Sequence, residues 1–325
     1  MCHTAKAAIL GLTAFCTASL FSACNDNHGT ADDPAGRDEI LRVTVSVPPL
    51  ADLVRKVGGQ HVHIDVLVGD GQDPHTFSPT PGQMKALGRA NILFSVGMPF
   101  EETLINKISA ANTGITVINT SAGIEKLPID HEHDSHGENN QPVAGEVEPE
   151  DPHADHDHES DPHIWLAPSA IKVQLNHIKN ALCNAAPEHA GTFAENLNAS
   201  KTQFEAVHAQ IAEKLKPFAG RKFFVFHPAF CYFAHEYGLE QVAIEIGGNS
   251  PTPKELIGFL AVAKEEKIRV IFVQPQFDPR SAGVIAEQLG AKVAALDPLA
   301  PNVITNLHAI ADAIVEGLSA SKENL

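Results

Sequence analysis

The sequence is short of basic residues and has one long apolar run. Lysine and arginine number 23 against 40 acidic residues, so the formal net charge is −17. Nucleic acid is not an expected partner, because phosphate binding needs a basic face. The apolar run, residues 7–21, lies near the N-terminus. No later run is long enough to span a membrane, so we expect that the chain is not itself the membrane transporter.

The N-terminal run is typical of an export signal. A lysine precedes it, and its length fits a signal-peptide core better than a transmembrane helix. It ends in LFSAC (20–24), which resembles a bacterial lipobox. We predict a signal peptide at 1–24, lipidation at Cys24 and a polar tether at 25–40. Cleavage just before Cys24, with a secreted and unanchored product, is the alternative. Either process places the protein in the periplasm or on the outer face of the cell membrane.

Cysteine is scarce. Of the five cysteines, Cys2 and Cys16 belong to the predicted signal, and Cys24 would carry the lipid. That leaves Cys183 and Cys231 in the body of the chain. An oxidising compartment permits a disulfide between them, and a pair of unlinked thiols is the alternative that the sequence leaves open.

From residue 41 onward, β-rich runs alternate with helical patterns. Strands are predicted at 42–47, 61–68, 91–96, 115–119, 222–226, 241–246, 269–273 and 292–296. Helices are predicted at 49–57, 81–89, 100–111, 187–217, 228–237, 253–267, 280–289 and 302–318. Alternation with short connections favours an α/β fold with parallel sheets.

One long amphipathic stretch divides this alternation into two lobes. Its apolar residues are mostly three and four apart over 187–217, which predicts a single linking helix. The predicted domains are an N-terminal lobe at 41–186 and a C-terminal lobe at 218–325. Ligands of such sheets lie beyond the carboxyl ends of the strands, so we expect the site in the cleft between the lobes.

Acid and histidine are concentrated in one segment. Residues 130–161 contain twelve acidic and no basic side chains, which accounts for −12 of the net charge. With so few large apolar residues, a loop at about 128–160 is predicted to be disordered without metal. Its histidines are predicted to be weak accessory metal ligands, and a dispensable solvated insertion is the alternative. They are His131, His133, His136, His153, His156 and His158.

Four separated residues are candidate ligands of one metal ion. His75, His163, His227 and Asp297 each follow, or closely follow, an apolar run that reads as a strand, and His75 and His163 each lie in an Asp-Pro-His motif. A lone histidine near a strand is usually structural, but a shared place at strand ends favours a common site. Three imidazoles and one carboxylate suit a borderline-soft divalent ion, above all Zn²⁺.

Several segments resemble the zinc/manganese-specific solute-binding proteins of bacterial ABC transporters. They are GQDPHTFSPTPGQ (71–83), DPHIWLAP (161–168), FVFHPAFCYFAHEYGL (224–239), IFVQPQF (271–277) and LDPLA (296–300). The likeness runs in family order from about residue 41 to the C-terminus, except for the acidic segment. It implies that His75, His163, His227 and Asp297 bind the ion.

The resemblance also implies the ion and the partners. Members that look manganese-specific commonly carry glutamate at the third position, whereas zinc-type members carry histidine, so His227 implies Zn²⁺ with Mn²⁺ as the alternative. The implied function is high-affinity extracytoplasmic zinc capture for an importer, by a monomer that works with an ABC permease and its ATPase. The acidic segment resembles the His-rich loop of zinc-type members. A surface adhesin of the same family is a further alternative.

The sequence departs from the common family pattern at two positions. Cys231 stands where the family commonly has glycine, and Gln274 where it commonly has glutamate.

A zinc hydrolase, the strongest alternative of a different class, would need an open coordination position and a base such as Glu245. Four protein ligands would close the tetrahedron, and the sequence has no His-Glu-x-x-His motif. We therefore expect a binding protein and not an enzyme.

Overall fold

Four short parallel strands form the sheet of the N-terminal lobe. The computed structural model describes residues 40–111, 114–129, 160–245 and 252–320. The strands are β1 (Leu41–Val45), β2 (Val62–Val66), β3 (Ile92–Ser95) and β4 (Thr116–Asn119). They lie in the order β2-β1-β3-β4, and every neighbouring pair is parallel. The central strand β3 is buried along its whole length, as expected for a parallel sheet that helices cover on both faces.

The helices of this lobe all begin at proline. They are α1 (Pro48–Gly58), α2 (Pro81–Leu87), α3 (Pro99–Ala111) and α4 (Pro168–Ala185). Proline is tolerated in the first turn because the N–H that it lacks has no partner there. At α2, Thr80 adds a capping box with Gln83.

Helix α4 has no counterpart in the sequence-based assignment, which contained no helix between His163 and residue 187. Its apolar side chains, among them Ile171, Leu175, Ile178 and Leu182, are buried. That spacing fits one helix face, and Pro168 marks its start, so the signal was present. The helix packs against α1 and α5.

The predicted linking helix is present as α5 (Ala190–Leu215), which spans 26 residues. Short 3₁₀ turns at Pro187–His189 and Lys216–Phe218 flank it. It packs against α1 and α4 of the N-terminal lobe and against α9 (Val303–Ala320) of the C-terminal lobe. The helix is therefore part of the core of both lobes.

The C-terminal lobe repeats the topology of the first. Its strands are β5 (Lys222–Val225), β6 (Glu240–Ala243), β7 (Val270–Val273) and β8 (Lys292–Ala295). They form a parallel sheet in the order β6-β5-β7-β8. The remaining helices are α6 (Cys231–Tyr237), α7 (Pro253–Glu265) and α8 (Pro279–Leu289). The predicted α/β class with two parallel-sheet lobes and one long helix is confirmed.

Helix α6 begins later than expected, at Cys231 and not at residue 228. Phe230 has φ −120° and ψ 19°, which is not helical. Its N–H donates to the Oε1 of Gln241 at 2.7 Å, and Gln241 lies on β6. This bond holds Phe230 outside the helix, so α6 begins one residue later, at Cys231. Cys231 and Cys183 are both thiols, so the disulfide between them is not formed.

Several predictions fall outside the described residues. These are the signal peptide, Cys24, the tether up to residue 39, and the six histidines at 131, 133, 136, 153, 156 and 158. The two ends of the acidic segment are described, and an antiparallel bridge joins Pro128 to Ser160. In the part of the chain that is described, no helix has the length and apolarity to cross a bilayer.

A buried carboxylate organises the turn between β3 and α3. Glu101 is buried, and it accepts the N–H groups of Val96, Gly97 and Met98 at 2.7–3.2 Å. Gly97 has φ +100°, a backbone conformation that favours glycine. Burial raises the pKa of Glu101. The turn at the carboxyl end of the N-terminal sheet therefore depends on one side chain.

Replacing Glu101 should lower the stability of the N-terminal lobe. We expect Glu101→Ala to lower the free energy of unfolding by about 3 kcal/mol, because three backbone N–H groups, those of Val96 and Met98 at buried residues, lose their acceptor. The measurement is urea denaturation of the metal-free protein. Its control is Glu102→Ala, since Glu102 is the exposed neighbour on the same helix. Equal shifts in both variants would contradict the assignment.

Candidate metal centre

Three histidine rings from remote parts of the chain meet at one point. One ring nitrogen from each of His75, His163 and His227 lies within 4.8 Å of the others. The Nε2 atoms of His75 and His227 are 3.1 Å apart. The ring centroids are 4.7 Å apart for His75 and His227, 5.5 Å for His75 and His163, and 5.6 Å for His163 and His227. His163 and His227 are buried, and His75 is partly buried.

The two Asp-Pro-His motifs build the same local turn. In each motif the aspartate Oδ1 accepts the N–H of the histidine two residues on, from His75 to Asp73 at 2.9 Å and from His163 to Asp161 at 2.8 Å. A side chain that bonds its own backbone two residues ahead forms an Asx turn. This turn fixes the histidine backbone without a helix or strand. His163 accordingly follows a loop and not a strand, although His75 and His227 do lie beyond β2 and β5.

Buried carboxylates hold two of the three rings. The Nδ1 of His163 lies 2.5 Å from Asp161 Oδ1, and the Nδ1 of His227 lies 2.6 Å from Glu245 Oε2. Asp161 and Glu245 are themselves buried. A carboxylate that accepts the Nδ1–H fixes the tautomer and leaves Nε2 as the donor atom for a metal. The sequence predictions include no role for Asp161, and they name Glu245 only as the base that a zinc hydrolase would need.

Aromatic side chains pack against the rings of His163 and His227. Trp165 meets His163 edge-on at 5.2 Å, and Phe277 stacks on His227 at 5.0 Å. The Trp165 indole N–H donates to the Pro298 carbonyl at 2.7 Å, which joins the two lobes beside the site. Packing on both sides restricts rotation of the rings.

Gln274 explains one of the departures noted in the sequence. Its Nε2 donates to the carbonyl of His227 at 2.8 Å, and its Oε1 accepts the N–H of His227 at 3.2 Å. The side chain is fully buried. An ionised glutamate could accept the N–H but could not donate to the carbonyl. The amide therefore holds the backbone of His227 at two points.

Asp297 lies beyond β8, at the carboxyl edge of the C-terminal sheet. Its Oδ1 accepts from Gln276 Nε2 at 3.1 Å and from the N–H of Leu299 at 2.9 Å. Among the described residues, the group of donor atoms within 4.8 Å of one another contains the three histidines and does not include Asp297. Its role as the fourth ligand stays a prediction.

The electrostatics of the cluster suit a cation. One oxygen of Asp161 and one of Glu245 are buried with no hydrogen-bond donor in the described part of the chain. Burial, and then the neighbouring rings of His163 and His227, lower the pKa of His75 to about 2. The His75 ring therefore presents unprotonated nitrogen, and the buried carboxylates supply negative charge that a divalent ion would balance. The donor set fits Zn²⁺.

The chain is similar to known zinc-uptake proteins in both sequence and structure. The family model ZnuA, described as "Zinc-uptake complex component A periplasmic", matches residues 43–317. The chain is 31% identical over 293 residues to the high-affinity zinc uptake system protein ZnuA of Paracoccus denitrificans, which covers 83% of this chain and 87% of the relative. A putative metal-binding protein of Treponema pallidum is 28% identical and covers 78% of each chain. A crystal structure of ZnuA superposes with a TM-score of 0.74 and 33% identity, over 86% of this chain and 99% of that one.

The lowered pKa of His75 predicts acid sensitivity in the metal-free protein. An unfolded histidine titrates near pH 6.5, whereas folded His75 titrates near pH 2, so the unfolded chain binds the extra proton. The stability contribution is complete well above pH 6.5 and falls by about 1.4 kcal/mol per pH unit well below it. Urea denaturation at pH 7 and pH 5, with a chelator present, should show a smaller loss in His75→Gln than in the natural protein.

The control for that comparison is His63→Gln, since His63 is exposed on β2. This variant should keep the pH dependence of the natural protein. An unchanged slope in His75→Gln would show that His75 is not the group responsible.

Proposed function

Because the chain belongs to the ZnuA family of periplasmic zinc-uptake components, we propose that it captures Zn²⁺ with high affinity outside the cytoplasm for an ABC importer. The observation that carries this proposal is the convergence of three imidazole nitrogens from both lobes. The chain binds and hands over the ion, and the ion is its cargo. Its partners on this proposal are the permease and the ATPase of the importer.

The proposed ligands are His75, His163, His227 and Asp297. The hydrogen bonds that orient Asp297 use Oδ1, which leaves Oδ2 for the ion. A nitrogen-rich tetrahedral set favours zinc, whereas manganese favours more oxygen ligands and a higher coordination number. The buried imidazole of His227 therefore supports zinc over manganese.

Catalysis is not part of the proposal. Glu245, which a hydrolase would need as a base, is bound to His227 Nδ1 at 2.6 Å. With four protein ligands on the zinc, no coordination position would remain for a reactive water. The geometry supports holding an ion and not activating one.

The remaining proposals concern the location of the protein, its oligomeric state, and how zinc is collected and released. We propose export to the periplasm, a lipid anchor at Cys24, and action as a monomer. The six histidines of the acidic segment would collect zinc weakly beside the main site. Because α5 packs into both lobes, release would involve a small lobe movement or a loop rearrangement and not a wide hinge opening.

Zinc titration of the purified protein tests this function. The natural protein should bind one Zn²⁺ tightly and bind Mn²⁺ much more weakly. His75→Ala, His163→Ala and His227→Ala should each weaken zinc binding by at least 100-fold, because each removes a proposed ligand. The measurement is competition with a chromophoric chelator.

The matched control is His63→Ala, which removes an exposed histidine outside the cluster. It should bind zinc as the natural protein does. Tighter binding of Mn²⁺ than of Zn²⁺, or tight zinc binding in all three ligand variants, would contradict the proposal.

A further inference from the structure

A second group of polar contacts joins the lobes away from the metal ligands. Helix α6 begins just after His227, and its Tyr232 reaches the N-terminal lobe. The Tyr232 hydroxyl donates to the Glu125 carbonyl at 2.9 Å and accepts the N–H of Leu127 at 3.4 Å. Burial raises the pKa of Tyr232, so this hydroxyl stays protonated and able to donate.

One turn further along α6, Glu236 contacts two other helices. Its Oε2 accepts a short hydrogen bond from the hydroxyl of Ser169, in the first turn of α4. Its Oε1 lies 3.1 Å from Nδ1 of His208 on α5, a contact that is an ion pair only while the imidazole is protonated. The Glu236 side chain is 12% exposed. One sheltered carboxylate thus touches both lobes and the helix between them.

Glu236 connects the two helices that follow proposed metal ligands. Helix α4 begins close behind His163, and α6 begins close behind His227. A shift of α6 against α4 would therefore change the distance between the two histidines. The position of Glu236 lets it set that distance without touching the ion.

An open surface pocket of about 220 Å³ lies beside these contacts, and its lining includes Leu127, Ser169, Tyr232 and His235. Side chains therefore do not fill the space next to Ser169 and Tyr232, which gives the polar contacts a larger share in holding α6 against the N-terminal lobe.

We propose that Glu236 is a positioning residue of the metal centre, which holds α6 against α4 and α5 and so keeps His163 and His227 at their binding separation. This inference rests on the proposed zinc-binding function. Loss of Glu236 removes no ligand, so the stoichiometry stays at one ion. The loosened helices release the ion faster.

The test is the rate at which a chelator removes zinc from the purified protein and its variants. Glu236→Ala should lose zinc about tenfold faster, because a hydrogen bond to a charged group carries an effect of that order. Glu236→Gln should stay within about threefold of the natural rate, since its amide oxygen still accepts the Ser169 hydroxyl. Ser169→Ala should lie between the two.

The matched control is Glu240→Ala. Glu240 pairs with Lys222 at 3.2 Å within the C-terminal sheet and makes no contact with the N-terminal lobe among its described ion pairs. It should release zinc at the natural rate. A natural rate in Glu236→Ala overturns the inference, and so does failure of Glu236→Gln to restore the rate.

Two further outcomes distinguish a positioning role of Glu236 from a general effect on the stability of the protein. If Glu236→Ala lowers the melting temperature of the metal-free protein but leaves zinc release unchanged, its role is structural and the inference is wrong. If Glu236→Ala does not fold, Ser169→Ala decides, because Ser169 is exposed. If the natural protein itself fails to bind zinc tightly, the proposed function fails, and that result is distinct from all of these.

Discussion

The bonds from His163 and His227 to the buried carboxylates of Asp161 and Glu245 are the constraint on which the metal centre depends. They direct both Nε2 atoms to one point and place negative charge where a cation would neutralise it. Without an ion, that charge is costly to bury. The same residues that orient the proposed ligands therefore also favour the binding of a cation.

The fold supplies these carboxylates from places far apart in the sequence. Asp161 belongs to an Asx turn that needs no regular structure, whereas Glu245 lies just beyond β6, whose neighbour β5 is followed by His227. Parallel strands bring their carboxyl ends to one edge, so neighbouring strands deliver a ligand and its orienting group together. Helix α5 and the contacts of α6 then keep the two lobes close enough for His75 to complete the cluster.

Much of this could be predicted from the sequence, because strand and helix periodicity and the positions of His75, His163 and His227 are local signals. Other features depend on tertiary contacts. Helix α6 starts at Cys231 because Gln241 binds the N–H of Phe230, and no local pattern reveals that bond. The orienting role of Glu245 likewise needs the register of β6 beside β5. Helix α4 was missed although Pro168 and its apolar spacing marked it.

X-ray absorption spectroscopy of the zinc-loaded protein measures directly whether three imidazoles and one carboxylate coordinate the ion. We predict a four-coordinate shell of three histidine nitrogens and one oxygen, at about 2.0–2.1 Å. A shell of six oxygen-rich ligands, or a sulfur at about 2.3 Å, would contradict it.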